Sequence, residues 1–146
     1  MSITARLRPS PTKRRVLVVD DDPLTRRIAK EMLARLGYDC DAVGDGDEAL
    51  AALGHSAYVA VLMDCYMPKL NGFDATATLR KREGRKRHTP VIAMTVSGSS
   101  ETADCCGIVG VDGVIVKPLG QGDLEDLLDY WTNRIADSST AWSRLH

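Results

Sequence analysis

The chain has 146 residues, 44% of them apolar and 27% charged, and its 19 Lys and Arg against 20 Asp and Glu leave a formal charge of -1 at pH 7. That length suits one domain burying roughly 68–70% of the surface its unfolded chain would expose. The balanced charge excludes a disordered polyelectrolyte and a general polyanion binder, so no direct nucleic-acid contact is expected. No apolar run approaches the ~20 residues needed to cross a bilayer, and the N-terminus lacks an apolar signal core, which predicts a cytoplasmic protein with no membrane span.

Residues 1–14 carry Arg6, Arg8, Lys13 and Arg14 with Pro9 and Pro11 and no acid, and read as a flexible basic segment before a domain at 15–135. Val16 to Val19 is a continuous apolar run bounded by acids, the pattern of a strand buried on both faces. Asp22 then offers an N-cap and Pro23 suits the first helical position. Leu24, Ile28, Met32, Leu33 and Leu36 share the apolar face of that helix, which ends at Gly37. Tyr38 to Val43 predicts a second strand, Asp47 to Leu53 a short helix stopped by Gly54, and Tyr58 to Met63 a third strand. Asn71-Gly72 leads into a helix from Phe73 to Arg82, and the basic run from Arg80 to His88 reads as its solvated end, favourably placed against the helix dipole. Val91 to Met94 is the fourth strand. Residues 100–109 are expected to be helical but weak, flanked by Gly98 and Gly110 and containing Gly107. Val114 to Val116 is the fifth strand, and Gln121 to Ile135 the closing helix, with Leu124, Leu127, Leu128 and Trp131 on one face. Residues 136–146 read as a frayed Ser/Thr-containing tail. Five strands alternating with five helices imply an α/β fold, a doubly wound parallel five-stranded sheet covered on both faces. The four cysteines (Cys40, Cys65, Cys105, Cys106) lack CxxC spacing and are read as reduced, with Cys40 and Cys65 buried.

In such a sheet, ligands gather at the carboxyl ends of the strands. Asp20, Asp21 and Asp22 follow the first strand, Asp64 the third, Thr95 the fourth and Lys117-Pro118 the fifth, so separate strands bring carboxylates, a hydroxyl and an ammonium to one rim. Clustered carboxylates repel and need a cation, and an all-oxygen set suits Mg2+. With Lys117 and Thr95 added, the rim suits an anionic phosphoryl group. No GxxxxGK[ST] or GxGxxG loop is present, and three acids after the first strand would repel the phosphate of a nucleotide or flavin in the absence of metal.

The segments VLVVDDDPLTRR, VLMDCYMPKLNGFDA, TPVIAMT and GVIVKP, in this order and spacing, resemble the receiver domain of two-component response regulators, with wording closest to receivers associated with hybrid histidine kinases. The resemblance covers residues 15 to 133 and implies a flavodoxin-like (βα)5 fold with strand order 2-1-3-4-5. It also implies that Asp64 is the phosphoacceptor, taking a phosphoryl group from a sensor histidine kinase or histidine phosphotransfer protein. Asp21 would then bind Mg2+ directly, with Mn2+ as a substitute, Asp20 mainly through water, and Asp64 and the Tyr66 carbonyl would complete the ligands. Thr95, Lys117 and the backbone N–H groups of Cys65 and Val96 would contact the phosphoryl oxygens, and the Lys117-Pro118 peptide would be cis. Asp22 matches none of these positions and is read as the cap. The implied protein is a signalling switch rather than an enzyme, catalysing only its own phosphoryl transfer and slow aspartyl-phosphate hydrolysis.

Three positions depart from the pattern. Val114 stands where the family usually has Tyr or Phe, so the aromatic readout of the Thr95 hydroxyl is missing. Val96 stands where a small residue is common and is expected to narrow access to Asp64. Tyr66 could stand over the site and limit water. A homodimer through the face of the 100–109 segment, the fifth strand and the last helix is allowed by the resemblance. Too few residues follow Ile135 for an output module, so the expectation is a stand-alone receiver or one belonging to a larger chain. The alternative is a pseudo-receiver, a phosphorylation-independent interaction module with the same fold.

Overall fold

A computed structural model describes residues 14–65, 72–84, 88–96 and 110–136, without the side chains of 72–73 and 133–136. Its elements are β1 (Arg15–Val19), α1 (Pro23–Arg35), β2 (Asp39–Val43), α2 (Gly46–His55), β3 (Ala60–Asp64), α3 (Gly72–Glu83), β4 (Val91–Thr95), β5 (Gly113–Val116) and α4 (Gln121–Ala136). The five strands form one parallel sheet in the order β2-β1-β3-β4-β5.

Alternation along the central strands divides the core into two layers, because successive side chains leave opposite faces. Val16 and Val18 of β1, Leu62 of β3, and Ile92 and Met94 of β4 meet Ala29 and Leu33 of α1 and Leu124 and Leu128 of α4. On the other face Leu17, Val19, Val61, Met63 and Val91 meet Ala49 and Leu50 of α2 and Ala75 and Leu79 of α3. Both faces being covered explains why β3 and β4 are buried along their whole length, whereas the edge strand β2 is half-buried throughout. Each fully buried Leu, Ile or Met contributes about 1.5–3 kcal/mol relative to exposure.

The start of α1 is fixed by Asp22, whose carboxylate accepts the N–H groups of Leu24 and Thr25, with Pro23 next in the chain. At the other end Gly37 adopts φ 89°, Gly37 N–H donates to the Ala34 carbonyl and Tyr38 N–H to Leu33, closing a Schellman turn that also buries Tyr38. The core face of α1 is narrower than its sequence predicts: Leu24 is 62% and Ile28 39% exposed, while Ala29 and Leu33 are fully buried. The row 24-28-32 runs along the flank of the helix and the row 29-33-36 faces the sheet. A leucine-weighted reading misses this because it passes over the small Ala29.

Three further expectations are corrected. Helix α2 runs through Gly54 to His55 and is capped by Ser56, since this glycine does not take a positive φ. Cys40 is half-buried rather than buried, although partial burial still raises its thiol pKa to about 11, whereas Cys65 is 1% exposed as expected. The basic run at the end of α3 is solvated at Lys81 and Arg82, which are exposed, but not at Arg80. Arg80 keeps only 18% of its side-chain surface exposed and donates to the Gly110 carbonyl (3.0 Å), the Thr89 carbonyl (2.9 Å), Glu83 (2.6 Å) and Asp112 (2.7 Å). The expected 100–109 helix, the 1–13 segment and the residues after 136 lie outside the described residues. Among the described residues no helix is long and apolar enough to cross a membrane.

Candidate functional site

The carboxyl ends of β1, β3, β4 and β5 converge on one rim. Asp20, the residue after β1, is fully buried. Its N–H donates to the Val43 carbonyl (3.1 Å), which ties the end of β1 to the end of β2. Its carbonyl accepts from Arg26 Nη1 (2.7 Å), Oδ1 accepts the Asp22 N–H (2.9 Å), and Lys117 Nζ lies 2.7 Å from Oδ2. The ammonium thus pairs in charge with a fully buried carboxylate.

Asp64 ends β3, is 7% exposed, and its Oδ1 lies 3.4 Å from Lys117 Nζ. Asp21 is exposed, and one carboxylate oxygen from each of Asp20, Asp21 and Asp64 falls within 4.8 Å of the others. Three carboxylates this close repel strongly when ionised, and Lys117 offers a single positive charge against them. Such an all-oxygen set fits a hard divalent cation that keeps part of its water shell, so the residues present suit Mg2+. Burial of the Lys117 ammonium, the largest influence on it, would lower its pKa, but its bond to Asp20 and the charge of Asp64 outweigh that and the net shift is upward. The ammonium is therefore fixed in the charged form.

Thr95 ends β4 and is 2% exposed; its carbonyl accepts the Lys117 N–H (2.7 Å), so the ends of β4 and β5 hold the hydroxyl and the ammonium in register. The Lys117-Pro118 peptide is cis. Asp22 stays outside the cluster as a cap. Its carboxyl pKa is lowered, chiefly by the Thr25 hydroxyl, which donates to it over 2.7 Å.

Other expected contributors stand differently. The Cys65 N–H, assigned from the sequence to a phosphoryl oxygen, donates to the Met94 carbonyl (3.1 Å) because Cys65 prolongs the β3–β4 ladder by one residue. Val96 is 72% exposed at the edge of the rim, and Val114 and Val116 of β5 are 42% and 49% exposed. Tyr66 lies outside the described residues. Sequence reading passed over Arg26, half-buried and reaching back to the Asp20 carbonyl. A signal was available, since a cation in the first turns of a helix opposes the helix dipole and calls for another reason to be there. A cavity of about 560 Å³ opens at the opposite end of the sheet between α2 and α3, with a mainly apolar lining that includes Leu50, Leu53, Leu79 and Pro90. It contains none of the rim residues.

The response regulator receiver domain family matches residues 16–129. Hybrid signal transduction histidine kinase E of Dictyostelium discoideum is 32% identical over 125 residues, which cover 84% of this chain and 7% of that protein. The sensor histidine kinase RcsC of Salmonella typhi is 32% identical over 120 residues, covering 82% of this chain and 12% of that one. The chain thus spans only a small part of these relatives' length. Among solved structures, the receiver domain of a sensor histidine kinase from Pseudomonas aeruginosa, with a magnesium ion coordinated in its active-site cleft, is 31% identical. It aligns with a TM-score of 0.76 over 83% of this chain and 98% of that one. The parallel sheet in the order 2-1-3-4-5, the acidic rim with its lysine and these likenesses agree, and the chain belongs to the response regulator receiver domain family, the signalling switches of two-component and phosphorelay systems.

Proposed function

We propose that this chain accepts a phosphoryl group on Asp64 from a phosphohistidine of a sensor histidine kinase or histidine phosphotransfer protein, in a Mg2+-dependent reaction, and that the added charge changes its partner contacts. The observation that carries the reading is the convergence of Asp20, Asp21 and Asp64 with Lys117 Nζ, which lies 2.7 Å from Asp20 and 3.4 Å from Asp64. Asp20, Asp21 and Asp64 would hold the cation, which when bound supplies charge neutralisation at the phosphoryl oxygens. In the transfer an Asp64 carboxylate oxygen forms a bond to phosphorus as the phosphorus–nitrogen bond of the donor breaks, and the imidazole leaves with that electron pair. Lys117 would offset charge on the phosphoryl oxygens, and the Thr95 hydroxyl would donate to one of them. Later attack by water on phosphorus releases inorganic phosphate and restores the carboxylate, which makes the switch self-limiting.

The new group adds roughly 1.5–2 negative charges beside Lys117, enough to bias the chain that follows β4. Leu24 and Ile28, exposed on α1 next to the rim, offer apolar surface to an incoming donor protein. Donors of this kind place the chain in the cytoplasm. Incubation with a small-molecule phosphodonor, with and without Mg2+, followed by intact-mass measurement beside Asp64→Asn, tests the reading. One phosphoryl addition requiring both Mg2+ and Asp64 is expected. A folded protein that gains none would turn the assignment to a phosphorylation-independent interaction module.

A further inference from the structure

We propose that Arg26 is a positioning residue for the cation, acting through Asp21; this deepens the Mg2+-dependent reading above and rests on it. The two β1-end carboxylates are held in different ways. Asp20 is fixed by contacts of its own side chain, with the Asp22 N–H on Oδ1 (2.9 Å) and Lys117 Nζ beside Oδ2 (2.7 Å). Asp21 is exposed, and among the described residues no hydrogen bond or ion pair fixes its side chain. Its direction is therefore set by its backbone. The carbonyl of Asp20 and the N–H of Asp21 belong to one planar peptide unit, so whatever fixes that carbonyl fixes the plane from which the Asp21 side chain departs. Arg26 Nη1 does so over 2.7 Å.

Arg26 is itself anchored. Its backbone N–H donates to the Asp22 carbonyl (3.1 Å) in the first turn of α1, so the side chain starts from a capped helix and folds back over the turn it follows. A Cβ placed on Gly44 would lie 3.4 Å from Arg26 Nη1 and 3.4 Å from Glu48 Oε1, so the guanidinium lies against the β2–α2 turn, where Glu48 accepts the Gly44 N–H (2.7 Å). The guanidinium thus spans the turns after β1 and β2.

The sign of the effect separates positioning from charge. A cation beside three carboxylates weakens binding of a second cation, so if Arg26 acted through its charge alone, removing it would tighten Mg2+ binding. If it acts by orienting Asp21, removal weakens binding, and groups that orient metal ligands typically change affinity 10–100-fold.

Calorimetric titration of the intact chain with Mg2+ at fixed ionic strength tests this, with melting temperatures taken in the absence of Mg2+ to report folding. Arg26→Met is expected to weaken Mg2+ binding about tenfold. Arg26→Lys, long enough to reach the same carbonyl with one N–H, is expected to recover most of the loss. In an Asp21→Asn background Arg26→Met should add almost nothing, since the two act as one unit. Should Arg26→Met fail to fold, Arg26→Gln, too short to span the gap, carries the same expectation. Unchanged or tighter binding without the arginine, or an equal loss with and without Asp21, overturns the inference while leaving the phosphoacceptor reading intact if the wild type binds Mg2+. A wild-type chain that takes up no Mg2+ overturns both.

Discussion

Replacing Arg80 by Met keeps most of the side chain's apolar stem and removes its guanidinium, which makes it a direct probe of the network at the amino-terminal margin of β4 and β5. Arg80 bonds two main-chain carbonyls, of Gly110 and Thr89, and two carboxylates, Glu83 and Asp112, whose side chains are only 4% and 12% exposed. Hydrogen bonds to charged groups contribute about 1.5–3 kcal/mol each, but contacts sharing one group are not additive. The better guide is the cost of breaking a buried pair by removing one partner, about 3–5 kcal/mol, because uncompensated carboxylates stay behind. Each keeps another donor: the Thr89 N–H bonds Glu83 (2.7 Å), and the Val91 N–H (2.8 Å) and His88 (2.7 Å) meet Asp112. That places the expectation at the lower end, about 3 kcal/mol, equivalent to a fall of roughly 10 °C or more in melting temperature for a domain of this size. Urea unfolding followed by far-ultraviolet circular dichroism reads it, with the exposed Lys81→Ala expected to stay within about 0.5 kcal/mol of wild type. A loss below about 1 kcal/mol in Arg80→Met would show that the network is loosely held in solution and refute the argument.

Three further expectations concern single features. Gly37→Ala should cost about 1–2 kcal/mol, because no atom lies within 4 Å of the added Cβ and the penalty is that of an L side chain at φ +89°; an unchanged melting curve would count against the turn. Val96→Ala is expected to speed both phosphorylation of Asp64 and its reversal by opening the rim, and equal rates in the two proteins would show that the exposed valine does not gate it. The Cys40 thiol, raised to about 11 by burial, stays protonated until the pH approaches that value. Its thiolate fraction at pH 8 is therefore about a hundredfold below that of an ordinary thiol. Alkylation mapped by mass spectrometry should be correspondingly slow at Cys40 and quicken above pH 10, whereas fast labelling at pH 8 would mean that the edge beside β2 opens.

Most of the scaffold is legible in the sequence because local and tertiary demands coincide there. The runs at Val16 to Val19 and Val91 to Met94 have to be buried on both faces, and Asp22, Pro23 and Gly37 carry the limits of α1 in their own chemistry. The acidic rim is legible for the same reason, since strand ends deliver Asp20, Asp64, Thr95 and Lys117 to one place. What the sequence does not show depends on geometry between distant segments. The partners of Arg80 come from its own helix and from residues up to 32 positions away, and nothing in a run of basic residues marks which one turns inward. The bond from the Cys65 amide to the Met94 carbonyl arises because the β3–β4 ladder runs one residue beyond the strand, and ladder ends follow pairing rather than propensity. Leu24 and Ile28 are misplaced because a helical period fixes a stripe but not which flank of it the sheet covers.

The position of Arg80 also bears on how movement at the acidic rim can travel. β4 is short, buried at every position and paired on both sides, and its first residue is fastened through Val91 N–H to Asp112, the carboxylate Arg80 grips. A slip by one residue would turn each of its side chains to the opposite layer. The strand therefore cannot act as a piston between the two margins of the sheet: one end is moored and the other carries Thr95. Signal and support are separated along a single strand, so sequence change at the moored margin should alter how long the domain survives, and change at the free margin should alter what it says.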